Sequence, residues 1–340
     1  MGDFFCQFAG ASGTLPPLTV LWYFLCLMSL EVFVLGTGGT MPLPHRHLTS
    51  ALVRREGDLF LFDCGEGTQV SLKKMNLRWK KINAIFISHT HADHITGLPG
   101  MLMLSSQVDR TEPLYLIGPA KVKDFFDASR RTLEMYLNYE IIVKEISNPS
   151  EPQVVYEAEG YRVRSFPLSH SRVCVGYTLE ETVRPGIFHP DKAKELGVPM
   201  GPMWSKLQAG EAVVLDDGKV VESSQVVGPL RPGCKFSYVT DTAPVPGIAR
   251  EVAGSDLFLC EGMFTRDLEE SAKEKRHLTS TQAAQIAKAA GVRQMGLVHY
   301  SPRCNERDLK RLVTEAREVF PETFLSRDGQ TIDIPNRDEA

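Results

Sequence analysis

Short apolar runs, rich in β-branched residues and bounded by Gly, Pro or Asn, recur along the chain and predict β-strands. The first covers 32–35. Runs at 50–54 and 59–62 predict a hairpin turning at Gly57-Asp58. Further strands are predicted at 82–88, 114–118, 139–146, 153–167, 235–240, 257–261 and 295–298. Helical spacing predicts helices over 120–138, 282–290 and 306–320. Thr279 or Ser280 caps the second of these and Gly291 stops it. In the third, Leu309, Leu312, Val313, Ala316 and Phe320 share one face. Strands alternating with helices predict an α/β protein. The alternation fails over about 183–230, where Gly and Pro are dense around Trp204. That stretch predicts either a long surface loop or a protruding element that carries partner contacts.

The polar residues that follow the strands change the picture. Strand 82–88 runs into Ser88-His89-Thr90-His91-Ala92-Asp93-His94, after which Gly97 and Pro99 predict no regular element. Imidazole and carboxylate suit Zn²⁺ or a similar divalent ion. His89 and His91, two apart on an extended loop, can clamp one ion, and Asp93 with His94 can face a second. A single histidine is more often a hydrogen-bonded core or surface residue. Three histidines and an aspartate in six residues would leave several buried polar groups unpaired without metal. His170, Asp241 and His299 repeat the same position, each just after a predicted strand, where open α/β sheets keep their chemistry. Two ions about 3.5–4 Å apart, bridged by a carboxylate, hold a hydroxide and clamp both oxygens of an in-line displacement. The chemistry is therefore hydrolysis, most naturally of a phosphodiester, with esters and lactams open. Asp63, at the end of strand 59–62, is placed to orient an imidazole N–H.

Composition adds limits. The 340 residues are 43% hydrophobic and 24% charged, as in an ordinary globular protein. The net charge of −4 argues against a general polyanion binder but permits a local basic patch. Seven scattered cysteines without a CxxC pair point to reduced thiols and a cytoplasmic protein. The apolar run near 18–30 is too short to span a bilayer and lacks a preceding positive charge. Met28 directly precedes the first strand, so we expect residues 1–27 to be a non-native or disordered extension and 28–335 the folded domain.

His89-Thr90-His91-Ala92-Asp93-His94 resembles the HxHxDH signature of the metallo-β-lactamase fold, a four-layered αββα sandwich. Four more stretches resemble ribonuclease Z, the tRNA 3′-processing endonuclease: Leu35-Gly36-Thr37-Gly38, Asp63-Cys64-Gly65-Glu66-Gly67-Thr68-Gln69, the Gly201-Pro202 segment, and His277 through Ala284. The resemblance covers nearly the whole chain from Met28. It implies one Zn²⁺ (or Mn²⁺ or another divalent ion) on His89, His91 and His170, and a second on Asp93, His94 and His299, with Asp241 bridging. Asp93 then also accepts the proton of the attacking water, and His277, paired with Glu261, donates one to the leaving ribose oxygen. Arg303 and Ser301 are placed to meet the phosphate. The Gly-Pro segment resembles the family's flexible arm, in which Lys192, Lys194 and Lys206 face RNA phosphates and Trp204 stacks or packs. Precursor tRNA as partner and a homodimer are likewise implied by the resemblance.

Two loops depart from the family pattern. Pro42-Leu43-Pro44-His45-Arg46-His47 stands where PxKxRN is common, and Cys260-Glu261-Gly262-Met263 where HEAT is common. Both leave the metal chemistry intact and the cleavage position open. The competing readings are a small-molecule hydrolase of the same fold, acting on a phosphodiester, lactone or thioester, and a catalytically idle RNA-binding module. The complete ligand set argues against the idle module, and the arm argues against the small-molecule site.

Overall fold

In the computed structural model the described residues are 30–107, 110–183 and 186–335. The expectation for residues 1–27 and Met28 lies outside them. Sixteen described strands form two seven-stranded sheets and one two-stranded ribbon. The first sheet contains β1 (Leu30–Gly36), β2 (Ser50–Arg55), β3 (Asp58–Phe62), β4 (Ile82–Phe86), β5 (Leu114–Gly118), β6 (Ile141–Glu145) and β16 (Thr331–Ile334), in the order β16-β1-β2-β3-β4-β5-β6. The second contains β7 (Gln153–Ala158), β8 (Tyr161–Ser169), β9 (Val173–Glu181), β12 (Lys235–Val239), β13 (Leu257–Glu261), β14 (Met295–Val298) and β15 (Thr323–Leu325), in the order β15-β14-β13-β12-β9-β8-β7. In each sheet the pairs from β3 to β6 and from β12 to β15 are parallel and the others antiparallel.

This topology explains the long apolar runs. A parallel strand is covered on both faces and so lacks polar alternation; β13 is buried at all five positions. Between the sheets Phe60 meets Tyr156 and Tyr161, and Phe62 and Phe86 meet Tyr177, Phe236 and Tyr238. The outer face of the first sheet packs on α1 (Thr68–Lys74), α3 (Leu98–Ser106) and α4 (Lys121–Thr132); the short α2 (Ala92–Ile95) lies between α1 and α3 in the chain. The outer face of the second packs on three helices, 247–251, 280–290 and 306–317. Four layers, αββα, result.

Several predicted boundaries shift. Pro99 does not end regular structure; it occupies the first turn of α3, where a missing N–H breaks no helical bond. The predicted strand 153–167 is a hairpin turning at Gly160, whose φ of +83° lies in the left-handed region that glycine favours. Helix 120–138 stops at Thr132, and Glu134 has a φ of +48°. The stretch 183–230 is not a featureless loop. Helices α5 (Pro190–Glu195), α6 (Pro202–Gln208) and α7 (Ser223–Val226), with ribbon β10–β11 (Val213–Val214, Val220–Val221), enclose a small core of Ala193, Val198, Leu207, Val213, Val221 and Val226. Ile187 and Gly228 close its base through a backbone hydrogen bond of 2.8 Å.

Candidate metal centre and active site

Every predicted ligand arrives at one end of the sandwich. His89 and His91 lie just beyond β4, and Asp93 and His94 on α2. His170, Asp241 and His299 each leave the end of a strand: β8, β12 and β14. The polar atoms meet in two groups. His89 Nε2 and His170 Nε2 lie 3.0 and 3.2 Å from His91 Nδ1, and 3.7 and 3.6 Å from Asp241 Oδ2. His94 Nε2 and His299 Nε2 lie 3.2 and 3.1 Å from Asp241 Oδ1, and 3.7 and 3.9 Å from Asp93 Oδ2. Asp241 thus turns one oxygen to each group.

Those separations fit divalent metals. Tetrahedral ligands about 2.0–2.1 Å from zinc stand roughly 3.3 Å apart, and both groups scatter around that edge length. His94 Nε2 and Asp241 Oδ1 are fully buried, yet neither has a hydrogen-bond partner in the protein. Buried polar atoms rarely stay so without a ligand. The arrangement could hold one ion in each group.

The outward ring nitrogens are fixed by proton counting. Ser88 Oγ donates to Asp63 Oδ2 at 2.9 Å, so it accepts from His89 Nδ1–H at 3.0 Å. Thr49 Oγ1 donates to Gly38 O at 2.8 Å and so accepts from His299 Nδ1–H, also at 2.8 Å. Asp63 Oδ2 accepts from His94 Nδ1–H at 2.7 Å, and the Arg276 carbonyl from His170 Nδ1–H at 3.0 Å. In the neutral ring each contact puts the single proton on Nδ1 and aims the Nε2 lone pair into the site, as metal ligation requires. His91 is reversed: its Nδ1 faces the group and its Nε2 faces Ser171 Oγ at 3.3 Å.

Backbone strain sits beneath this shell. Asp63, Arg276 and His299 have φ of 55°, 55° and 63°, uncommon for non-glycine residues. Gly39 is required by close approach, because a Cβ there would lie 2.6 Å from His299 Nε2. The electrostatics agree. Burial and neighbouring imidazoles hold His89 well below the usual imidazole value. Burial likewise lowers His91 and His170. Burial opposes ionisation of Asp241 and Asp93, but His299 and His94 hold both carboxyls in the ionised, lowered range. Burial also opposes charge on His94, where Asp241, Asp93 and Asp63 overcome it and mark the place as cation-favouring.

His277 lies beside the ligands, its ring stacked 5.6 Å from His299. Its Nδ1–H donates to Glu261 at 3.0 Å, and Glu261 accepts Thr242 N–H at 2.7 Å. Burial alone would lower His277, but the Glu261 carboxylate pushes it up to about 9. The other predicted contacts lie outside the ligand groups. Arg303 is exposed on the loop after β14, and the Ser301 carbonyl accepts from Arg46. Lys192, Lys194 and Lys206 are exposed on the 183–230 segment. Trp204 packs on Phe188 and donates to Val198 O at 3.1 Å, so its ring serves the segment's core. Thr49, the Thr40 N–H that donates to Asp93 Oδ2, the Tyr238 hydroxyl on Asp63 and Arg276 were not singled out by sequence. Each is one polar residue without a local pattern.

An αββα sandwich with an HxHxDH loop and converging His and Asp groups defines a metal-dependent hydrolase of the metallo-β-lactamase fold. A family model described as "Beta-lactamase superfamily domain" matches residues 217–300, and one described as "Anti-Pycsar protein Apyc1" matches 30–183. The ribonuclease Z of Treponema denticola is 63% identical over 311 residues, covering 92% of this chain and 100% of its own. That of Treponema pallidum is 60% identical, with 92% and 99% covered. The chain belongs to the ribonuclease Z family. Among solved structures, human tRNase Z, short form, has a TM-score of 0.66 and 25% identity, covering 90% of this chain and 99% of that one.

Proposed function

We propose that this protein is an endoribonuclease that removes the 3′ trailer of precursor tRNA by hydrolysing one phosphodiester at a dizinc centre. The observation that carries the reading is Asp241, whose two oxygens face two separate ligand groups. His89, His91 and His170 would hold one ion, and Asp93, His94 and His299 the other. When bound, the ions polarise the phosphoryl oxygens and lower the pKa of water. Asp93 Oδ2 is the oxygen turned to His94 and His299 and held by Thr40 N–H. Its Oδ1 is left to take the proton of the attacking water. His277 is protonated at neutral pH because its Nδ1–H rests on Glu261. Its Nε2–H protonates the ribose oxygen as the P–O bond breaks. Arg303 and Ser301 meet the flanking phosphate, and the 183–230 arm, through Lys192, Lys194 and Lys206, holds the tRNA body.

We further read the enzyme as a cytoplasmic homodimer. The five described cysteines are all free thiols, no described helix is long and apolar enough to cross a membrane, and Met103, Leu133 and Tyr136 are exposed large apolar side chains. Incubation with a 3′-extended precursor tRNA beside bis-p-nitrophenyl phosphate tests the function. Cleavage of both supports it; cleavage of the small ester alone, under Zn²⁺ and Mn²⁺, selects the small-molecule hydrolase instead.

A further inference from the structure

Between Glu66 and Asp93 the chain carries no acidic residue for 26 positions, and five cations fall within nine of them: Lys73, Lys74, Arg78, Lys80 and Lys81. All five are exposed. None has an ion pair or side-chain hydrogen bond with another described residue. Other surface cations are neutralised by nearby carboxylates. Lys121 and Lys123 pair with Asp124 and Asp127, and Arg311 with Asp267. A basic residue at a helix C-terminus is commonly explained by the helix dipole. That accounts for Lys73 and Lys74 at the end of α1, but not for the three cations beyond it.

The strip is held rigidly. Arg110 is buried at 2% exposure and donates to Lys80 O, Glu112 O and Pro113 O at 2.6, 2.8 and 2.7 Å, tying the 3₁₀ turn 79–81 to the segment that leads into β5. Leu77 is buried and Trp79 packs on the same core. The cations are therefore presented on a fixed frame, with less side-chain support to order on binding.

The strip also leads from the site. The loop before α1 bonds directly to the ligand helix, Cys64 N–H to His94 O at 2.8 Å and Gly97 N–H to Cys64 O at 2.9 Å. From that loop, α1 covers about 10 Å at 1.5 Å per residue. A duplex carries a phosphate charge on the order of every 1.7 Å of axis, so an RNA cut at the centre has several phosphates at that range. We infer that Lys73, Lys74, Arg78, Lys80 and Lys81 form a second phosphate-contacting surface for the body of the same RNA that is cleaved at the metal centre, separate from the 183–230 arm. The inference rests on the nuclease reading above.

The test is a Lys73→Glu/Lys74→Glu/Lys80→Glu variant of the full chain, with Lys121→Glu/Lys123→Glu as control. Affinity for 3′-extended precursor tRNA is measured at several salt concentrations, with hydrolysis of bis-p-nitrophenyl phosphate alongside. The triple variant is expected to bind at least tenfold more weakly, with a log–log salt slope shallower by about 2–3 and small-ester hydrolysis unchanged; the control stays near wild type. Affinity and slope within twofold of wild type overturn the inference while leaving the nuclease reading standing. A wild-type protein that neither binds nor cuts the precursor overturns both. Strip-dependent binding to phosphatidylserine vesicles with unaltered tRNA affinity assigns the surface to membranes and also overturns it.

Discussion

Thr49 Oγ1 lies 2.8 Å from both Gly38 O and His299 Nδ1, and its single proton can go only to the carbonyl. The hydroxyl therefore reads the protonation of His299: it accepts only from Nδ1–H, which keeps Nε2 free for metal. Thr49→Val keeps the shape, removes the acceptor and leaves the ring free to rotate or take the wrong tautomer. Partners of this kind are worth about 10–100-fold in metal affinity. Dialysis against a graded chelator should strip the second ion from Thr49→Val first, with Thr49→Ser holding it like wild type. Equal retention by all three proteins would assign Thr49 a packing role only.

The Glu261–His277 pair sets a pH limit. His277 is raised to about 9, so the imidazolium needed to protonate the leaving oxygen is present below that pH and is lost as pH rises through it. Glu261→Gln removes the larger raising charge, leaving burial, which lowers, opposed only by the Asp241 carboxylate. The alkaline limb of kcat should move down by more than one pH unit, with most activity recovered near pH 6. His277→Ala should cost roughly 10²–10⁴ in kcat. An unmoved alkaline limb in Glu261→Gln would remove His277 from the proton path.

Asp63 gathers four donors: Ser88 N–H and Ser88 Oγ–H, His94 Nδ1–H and the Tyr238 hydroxyl. Asparagine tolerates its left-handed backbone, so Asp63→Asn changes the charge and one acceptor without forcing the turn. It sets an amide NH₂ against a donor in a fully buried place. Metal affinity should fall about 10–100-fold, and thermal melting of the metal-free protein should show a loss of about 1–3 kcal/mol. A change in neither would mean that the shell re-forms around asparagine.

The arm offers a division of labour that can be cut out. Ile187 and Gly228 are joined at its base, and its core is its own. Replacing 188–227 by a short Gly-Ser link should abolish cleavage of precursor tRNA and leave bis-p-nitrophenyl phosphate hydrolysis within about twofold of wild type. Loss of both activities, with metal still bound, would contradict a substrate-holding role.

The strand ends were readable because each buried, two-sided strand is an uninterrupted apolar run and the ligands follow it directly, as His89 follows β4 and His299 follows β14. Asp63 as an imidazole partner was readable on the same ground. The turn inside 153–167 was not, since Gly160 interrupts an otherwise continuous run by one residue. The start of α3 was hidden because Pro99 looks like a breaker, and only its first-turn position makes it harmless. The arm's core draws one apolar residue from each of five short elements and Val198 from a loop, so no periodicity announces it. Thr49 and Arg276 act through contacts 250 and 106 positions away in sequence, which no local pattern records. The basic run was visible as letters, but its unpaired state became evident only once the surrounding surface was assembled.

The most direct measurement is a metal titration of the chelator-stripped protein against a 3′-extended precursor tRNA, with zinc per chain and the cut site both determined. Cleavage should be absent without metal, rise until two ions are bound per chain, and give one cut that releases the trailer. Full cleavage with no bound metal, or an intact precursor with two ions bound, would contradict it.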